Sequence, residues 1–214
     1  MYKTLFITAT NTNVGKTYTT LKLLELYASK GLRVGVFKPF ETGVDPIAED
    51  ATKLFEKALE LNPVLSELSL SDITPYQFKL PAAPYIANDK NIEIDIELIK
   101  EKLNKIGSLC DIVLIEGAGG LLVPITKDFF VIDLILELNL FTLLITHSNL
   151  GCINDTLLSL EALKNRNIKH NFAINIKENE ESFSKTSLKF FQNYCEDLYI
   201  VNTNLDKLVE KIDL

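Results

Sequence analysis

The sequence has few of the residues that zinc sites and disulfide frameworks need. Three cysteines and two histidines occur among its 214 residues. Cys110, Cys152 and Cys195 lie far apart, their number is odd, and no CxxC pair is present. This pattern argues against a zinc site and is typical of a reduced, cytoplasmic chain. His147 and His170 have no ligand or triad spacing, and we interpret both as structural.

Long apolar runs and an excess of basic charge are also missing. The apolar stretches fall short of the roughly 20 residues that a membrane-spanning helix needs. The first residues do not resemble a signal peptide. With 22 basic and 29 acidic residues, the net charge is −7, which argues against a broad nucleic-acid surface. We therefore expect a cytoplasmic protein with neither a membrane nor a nucleic acid as its partner.

Short apolar runs alternate with helical patterns along the chain. The length suits one α/β domain, and we predict a single domain over residues 1–214. Continuous apolar strands separated by helices indicate a mostly parallel sheet with helices on both faces. Strands are predicted at 3–9, 33–38, 110–120, 141–149, 171–176 and 198–201, the third of them running into a glycine-rich loop at 117–120. Helices are predicted at 17–31, 48–61, 95–107, 154–167 and 182–195, with a last short helix and an irregular stretch over 62–94.

The segment ATNTNVGKTYTT, residues 9–20, joins the first predicted strand to the first predicted helix. Strand, loop, Gly-Lys-Thr and helix form the P-loop arrangement, in which backbone N–H groups and a helix N-terminus cradle phosphate. Gly15 lets the backbone approach a phosphate closely. Lys16 can reach the β and γ phosphates, and the Thr17 hydroxyl can bind magnesium.

This loop departs from the common GxxxxGK[ST] pattern. Its first glycine position holds Thr10, or Ala9 if the loop is one residue longer. The segment taken alone could therefore be an ordinary strand–turn–helix junction. A later strand supports the P-loop interpretation, because four apolar residues precede Glu116 and a glycine-rich stretch follows. In P-loop proteins an acidic residue at the end of a central strand faces the magnesium ion; the alternative role of Glu116 is to cap the turn.

Several further segments, in this order and spacing, resemble the dethiobiotin synthetase family. They are TNTNVGKT, FKPFETG, EDATKL, YQFKLPAAPYIA, EGAGGLLVP and NLGCIN. The resemblance covers most of the chain and weakens after about residue 176. It implies an α/β three-layer P-loop NTPase fold with a mostly parallel central sheet, assembled as a homodimer.

The resemblance implies an ATP-dependent ring closure. One amine of 7,8-diaminopelargonic acid takes up CO2, supplied as CO2 or bicarbonate, to form a carbamate. ATP phosphorylates the carbamate to a carbamic-phosphoric anhydride. The second amine then displaces phosphate, which yields dethiobiotin and ADP. ATP is the co-substrate and Mg²⁺ the implied cofactor.

The resemblance also assigns site residues. Catalytic roles fall on Lys16, Lys38 and Thr12. The nucleotide-binding residues are Asn13, Val14, Gly15, Lys16, Thr17, Tyr18, Asp50, Glu116, Gly117, Ala118, Gly119, Asn175 and Ile176, of which Thr17, Asp50 and Glu116 would hold the metal. The substrate-binding residues are Lys38, Thr42, Gly151, Cys152 and Asn154, the last three on a loop that reaches the substrate across the dimer interface.

The two lysines suit the chemistry, because fixed cations stabilise charge that develops between carbamate and γ-phosphate. Taken alone, Lys38 would be a solvated lysine at a strand end, but the following PFETG favours the functional role. We expect adjacent parallel strands to place Lys16 and Lys38 at the carboxyl edge of the sheet. For Asp50 the alternative is a helix N-cap, and Glu49 beside it is the competing carboxylate.

The last part of the chain departs from the family pattern. A G-x-[IL]-P segment that usually contacts adenine has no match in YIVNTNLDKLVEKIDL, residues 199–214, whereas Asn175 matches a family asparagine that contacts the base. Asn13 stands where family members often have glutamate. The sequence therefore predicts relaxed base selectivity or weaker ATP binding.

The main alternative is a nucleotide-switch ATPase of the partitioning type. Such loops carry an extra lysine early in the P-loop, and residues 9–14 contain none. A GTPase is disfavoured because no DxxG follows the P-loop at the switch position and NIKE, residues 175–178, is a poor match to NKxD.

Overall fold

A computed structural model describes residues 2–178 and 180–212 of the chain. Its strands are β1 (Lys3–Ala9), β2 (Val34–Phe37), β3 (Phe40–Thr42), β4 (Tyr76–Phe78), β5 (Ile112–Gly120), β6 (Thr142–His147) and β7 (His170–Asn175). Its helices are α1 (Lys16–Ser29), α2 (Glu49–Leu61), α3 (Leu70–Ile73), α4 (Pro84–Ala87), α5 (Ile96–Gly107), α6 (Val131–Glu137), α7 (Cys152–Asn165), α8 (Glu180–Thr186), α9 (Leu188–Tyr194) and α10 (Leu205–Lys211), with a 3-10 turn at Pro63–Glu67.

The central sheet confirms the predicted α/β architecture. Five parallel strands lie in the order β2-β5-β1-β6-β7, and helices flank them. The inner strands are buried over consecutive residues, as Leu5–Ala9 and Ile112–Glu116 show. Burial of both alternating faces is what helices on either side of a parallel sheet produce. In the described part of the chain, no helix combines the length and the apolar character needed to cross a membrane.

The expectation that β1 and β2 are adjacent is wrong. Strand β5 lies between them and pairs in parallel with both. The connection from β1 through α1 to β2 leaves a gap of one strand, which β5 fills later in the chain. Local sequence patterns carry no information about the size of this gap. Both strands still end at the carboxyl edge of the sheet, so Lys16 and Lys38 reach that edge on either side of Glu116.

Smaller differences concern the ends and the irregular regions. The stretch 62–94 contains α3, β4 and α4, and β4 pairs in parallel with β3. Helix α6 was not predicted, and the predicted helix over 182–195 is two helices separated at Ser187. The predicted strand 198–201 contributes one bridge, from Ile200 to Ile174. The predicted loop 117–120 continues β5. Residues 213–214 of the final predicted segment lie outside the described residues.

Candidate active site

The P-loop lies between the end of β1 and the start of α1, and its backbone explains its glycine. Gly15 has φ 109° and Asn13 has φ 59°, both in the left-handed region. A Cβ atom on Gly15 would lie 2.0 Å from Asn175 Nδ2. Only glycine therefore fits this position, both for its dihedral angle and for the close approach of Asn175.

A cavity of about 490 Å³ opens at the carboxyl edge beside this loop. The predicted site residues that line it are Thr12, Asn13, Gly15, Lys16, Thr17, Tyr18, Lys38, Thr42, Asp50, Gly117, Ala118 and Gly119. They come from widely separated parts of the sequence, so the fold brings together most of the predicted nucleotide-binding and catalytic residues.

Glu116 does not itself line this cavity but is fully buried behind Thr17 and Lys38, which do, and it joins three elements. Its Oε1 accepts hydrogen bonds from Thr17 Oγ1 at 2.9 Å and from Lys38 Nζ at 2.7 Å. Its Oε2 accepts one from Thr20 Oγ1 at 2.8 Å. Thr20 was missed from the sequence, although its position three residues after Thr17 places both hydroxyls on one face of α1. The glutamate is thus held by α1 and by the lysine that follows β2.

Lys38 is a buried cation between two carboxylates. Its Nζ lies 2.7 Å from Glu116 Oε1 and 4.0 Å from Asp50 Oδ2. Burial lowers the pKa of Lys38, but attraction to Glu116, Asp50 and Glu41 outweighs this effect and the pKa is raised. Lys38 is therefore positively charged at neutral pH despite its burial.

Lys16 lies in a less compensated environment. Its Nζ donates to the carbonyl of Asn11 at 3.4 Å. Burial lowers the pKa of Lys16 to about 8, although Glu116 attracts its charge. A phosphate oxygen at the P-loop would give this ammonium a strong anionic partner.

Asp50, and not Glu49, faces the cavity. The Glu49 side chain is 79% exposed and pairs with Lys53, and the N-cap of α2 is Ala48. Asp50 and Glu116 flank the Lys38 ammonium, and the Thr17 hydroxyl donates to the same Glu116 oxygen as Lys38 does. Within the described residues no three or more His, Cys, Asp or Glu side chains form a metal cluster. Two carboxylates with a hydroxyl fit Mg²⁺, which keeps waters and binds substrate phosphates as further ligands.

Asn175 is anchored against the back of the P-loop. Its Nδ2 donates to the Val14 carbonyl at 2.7 Å, while its buried Oδ1 has no hydrogen-bond partner among the residues described. Lys177 Nζ donates to the Asn13 carbonyl at 2.5 Å. A second hollow of about 300 Å³ lies beside these groups. Because buried acceptors are normally paired, Asn175 Oδ1 is suited to receive a donor from a ligand. Ile176 packs in a small apolar cluster and lines neither cavity.

The three predicted substrate residues around the start of α7 do not line the first cavity within one chain, and two of them, Cys152 and Asn154, lie in the first turn of α7 and not on a loop. Gly151 has φ 97°, and Cys152 is fully buried with its N–H donating to the Asn149 carbonyl at 3.0 Å. Asn154 Nδ2 donates to Asp155 Oδ1 at 3.2 Å. The side chain of Cys152 is therefore a packing group, and its N–H already has a protein partner.

The two histidines contact protein groups. His147 Nε2 lies 2.9 Å from Asp155 Oδ2, and the His147 side chain also lines the second hollow. His170 Nδ1 lies 2.7 Å from the Ile168 carbonyl. Neither residue lines the first cavity.

Comparison with known proteins identifies close sequence relatives and more distant structural ones. A family model described as an AAA domain matches residues 3–208. The ATP-dependent dethiobiotin synthetase BioD of Sulfurovum sp. (strain NBC37-1) is 57% identical over 187 residues, which are 87% of this chain and 89% of the relative. The protein of the same name from Wolinella succinogenes is 39% identical over 215 residues, 98% of each chain.

Among solved structures, a plasmid partition protein from Borrelia burgdorferi aligns over 99% of both chains with a TM-score of 0.58 and 15% identity. At this identity the likeness shows the P-loop NTPase fold alone. It does not favour a partitioning function over the activity named for the sequence relatives.

Proposed function

This chain belongs to the family of ATP-dependent dethiobiotin synthetases, and from this premise we propose how its cavity performs the reaction. The protein is an ATP-dependent ligase that forms dethiobiotin. In our proposal it uses 7,8-diaminopelargonic acid, CO2 and ATP. One amine nitrogen attacks the carbon of CO2 and loses a proton, which gives a carbamate. A carbamate oxygen attacks the γ-phosphorus, and ADP leaves. The second amine attacks the anhydride carbon and loses a proton as the ring closes and phosphate leaves.

The observation that carries this proposal is the buried Lys38 beside the P-loop. Negative charge accumulates where the carbamate meets the γ-phosphoryl group, and Lys38 and Lys16 both line the cavity there. Cations held in place before the reaction stabilise such charge without the cost of reorganising solvent. The contact between Lys38 and Glu116 supplies that fixed position. Thr12 and Thr42 line the same cavity, where their hydroxyls can bind the phosphates and the carbamate.

Magnesium would be held by Thr17, Asp50 and Glu116. When bound, it would neutralise charge on the β and γ phosphates. The oxygen donors of this set and its position beside the P-loop support the assignment. Gly117, Ala118 and Gly119 line the same cavity, and because two of them lack a side chain and the third has only a methyl group, they leave room for the nucleotide.

The base would bind near Asn175, and we predict relaxed selectivity there. The unpartnered Asn175 Oδ1 offers one acceptor, and residues 199–214 lack the G-x-[IL]-P segment that would add further contacts to the base. We expect kcat/KM for GTP, CTP and UTP within about 100-fold of that for ATP. Steady-state kinetics with the four nucleotides tests this, and strong rejection of the other three would contradict it.

We further propose that the chain acts as a homodimer in the cytoplasm. Gly151 and the first turn of α7, with Cys152 and Asn154, do not line the cavity of their own chain, and Leu150 before them is 86% exposed. A partner subunit could use this segment to bind the carboxylate tail of the substrate. Three free cysteines suit a reducing compartment. Sedimentation that gives a monomer at working concentration would contradict the shared site.

The central experiment measures phosphate release with Mg-ATP and bicarbonate, with and without 7,8-diaminopelargonic acid. We expect release that depends on the diamine, and its loss in Lys38→Ala. Lys53→Ala is the matched control, because Lys53 is an exposed lysine that pairs with Glu49 outside the cavity. Release that ignores the diamine would favour a switch ATPase instead.

A further inference from the structure

We propose that Glu41 is a positioning residue that fixes Asp50 for magnesium binding and couples it to the substrate-binding strand. This inference rests on the proposed function, because it takes Asp50 as a magnesium ligand. Glu41 lies in FKPFETG between Phe40 and Thr42, and no part of the proposed reaction uses it so far. Its side chain nevertheless contributes to the same cavity.

The Glu41 carboxylate caps a helix from outside. Glu41 is 6% exposed. Its Oε1 accepts the N–H of Asp50 at 2.9 Å, and its Oε2 accepts the N–H of Ala51 at 2.8 Å. The first N–H groups of a helix have no partner within the helix, and an anion is favoured there. The N-cap residue, Ala48, has no side-chain acceptor, so Glu41 of β3 supplies what the local sequence lacks.

This cap has a consequence that an ordinary helix cap does not have. The amide that Glu41 holds belongs to Asp50 itself, whose carboxylate lies 4.0 Å from Lys38 Nζ. Glu41 also directly precedes Thr42 on β3, which pairs in parallel with β4. One buried carboxylate thereby links the strand of the proposed substrate ligand to the helix of the proposed metal ligand. Any shift of the first turn of α2 would move Asp50 relative to Glu116.

The electrostatic environment of Glu41 agrees with this role. Burial raises the pKa of Glu41, and the N–H groups of Ala51 and Asp50 and the charge of Lys38 oppose the shift. A buried carboxylate is costly unless such partners satisfy it. The two hydrogen bonds use both carboxylate oxygens of Glu41, so this side chain is suited to holding the first turn of α2 in place.

The test compares Glu41→Gln with Asp95→Ala, which removes a helix cap, in the whole chain. Asp95 also caps a helix, since its side chain accepts the Glu97 N–H at 2.8 Å, but it does not line the cavity. Glutamine has one carbonyl oxygen and turns an NH₂ group toward the second amide, so it cannot replace the carboxylate. Asp50→Asn serves as the reference for loss of the ligand itself.

The readout is the factor by which Mg²⁺ increases affinity for the non-hydrolysable analogue β,γ-imido-ATP, from calorimetry with Mg²⁺ and with EDTA. The midpoint temperature of thermal unfolding, measured without metal or nucleotide, is the second readout. We expect both cap variants to lower the midpoint. Only Glu41→Gln and Asp50→Asn should reduce the magnesium factor, by about tenfold or more, as losses of groups that orient metal ligands do.

An unchanged magnesium factor in Glu41→Gln, with a thermal midpoint lowered as in Asp95→Ala, would overturn the proposal and leave Glu41 an ordinary cap. If Glu41→Gln does not fold, Glu41→Asp decides, because it keeps the charge but is too short to reach both amides. It should lower the factor as well, and an unchanged factor overturns the proposal. A wild-type protein without any magnesium factor, or without diamine-dependent phosphate release, would refute the proposed function instead.

Discussion

Two ion pairs join the same two strands, β2 and β5, one at each end. Arg33 and Asp111 directly precede the strands at the amino end, whereas Lys38 follows β2 and pairs with Glu116 of β5 at the carboxyl end. The parallel register of β2 and β5 places each cation opposite its carboxylate. The chemistry of the two pairs is similar, but their surroundings differ.

The amino-end pair is open to water and the carboxyl-end pair is enclosed. The side chains of Arg33 and Asp111 are 54% and 38% exposed, against 6% and 0% for Lys38 and Glu116. Arg33 donates from its backbone N, Nε and Nη2 to the Asp111 carboxylate. An exposed pair of this kind joins the ends of two strands but contributes little to the free energy of unfolding. At the other edge the P-loop encloses the pair, and ligands bind at that edge in such folds.

The sharpest test of this comparison is the rate of the reaction. We expect Glu116→Gln to lower kcat for diamine-dependent phosphate release by about 10²–10³-fold, the size of effect seen when one group preorganised at a transition state is removed. The neutral amide would hold Lys38 less strongly and would remove a carboxylate from the proposed magnesium site. Asp111→Asn is the matched variant and should keep the wild-type rate. Circular dichroism checks that both variants are folded.

Equal losses in Glu116→Gln and Asp111→Asn would contradict this prediction. They would show that both pairs act on the reaction through the stability of the β2–β5 edge and that burial does not distinguish them.

The second test is stability at neutral pH, measured by urea unfolding. Lys38→Ala leaves the fully buried Glu116 carboxylate without its cation, and we expect a loss of about 3 kcal/mol. Arg33→Ala leaves Asp111 in contact with water and should change the urea midpoint far less. The double variant with Lys38→Met and Glu116→Leu should recover most of the lost stability, because no buried charge remains. Similar urea midpoints for Lys38→Ala and Arg33→Ala would contradict the greater burial of the Lys38–Glu116 pair.

The sequence predicted the strands of both pairs but not their arrangement. Apolar runs and the Gly-Lys-Thr motif are local signals, so β1, β5 and the P-loop could be located from them. The strand order could not, because the connection between β1 and β2 passes over a position that β5 fills much later in the chain. That insertion is what joins Lys38 to Glu116.

The supporting residues were also missed, for a related reason. Thr20 lies on the same face of α1 as Thr17, a signal that could have been used. Glu41 gives no such signal, because the amides of Asp50 and Ala51 that it binds come nine and ten residues later and meet it only in the folded chain. The roles of Gly151, Cys152 and Asn154 remain predictions, since one chain does not bring them to the cavity.

The smallest expected effect is the pH dependence of the exposed pair. Hydrogen bonds and charge from Arg33 lower the pKa of Asp111 from 3.8 to about 2. Between these values the unfolded chain binds more protons than the folded one, so the stabilisation is complete above about pH 4 and is lost as the pH falls toward about 2. The difference in urea midpoint between wild type and Asp111→Asn should therefore narrow from about pH 6 to about pH 3.

The same difference in urea midpoint should also shrink in about 1 M NaCl, because salt screens exposed charges far more than enclosed ones such as Lys38 and Glu116. A difference independent of both pH and salt would mean that Arg33 and Asp111 do not form their ion pair in solution. The amino ends of β2 and β5 would then lack an ion pair, whereas their carboxyl ends have one.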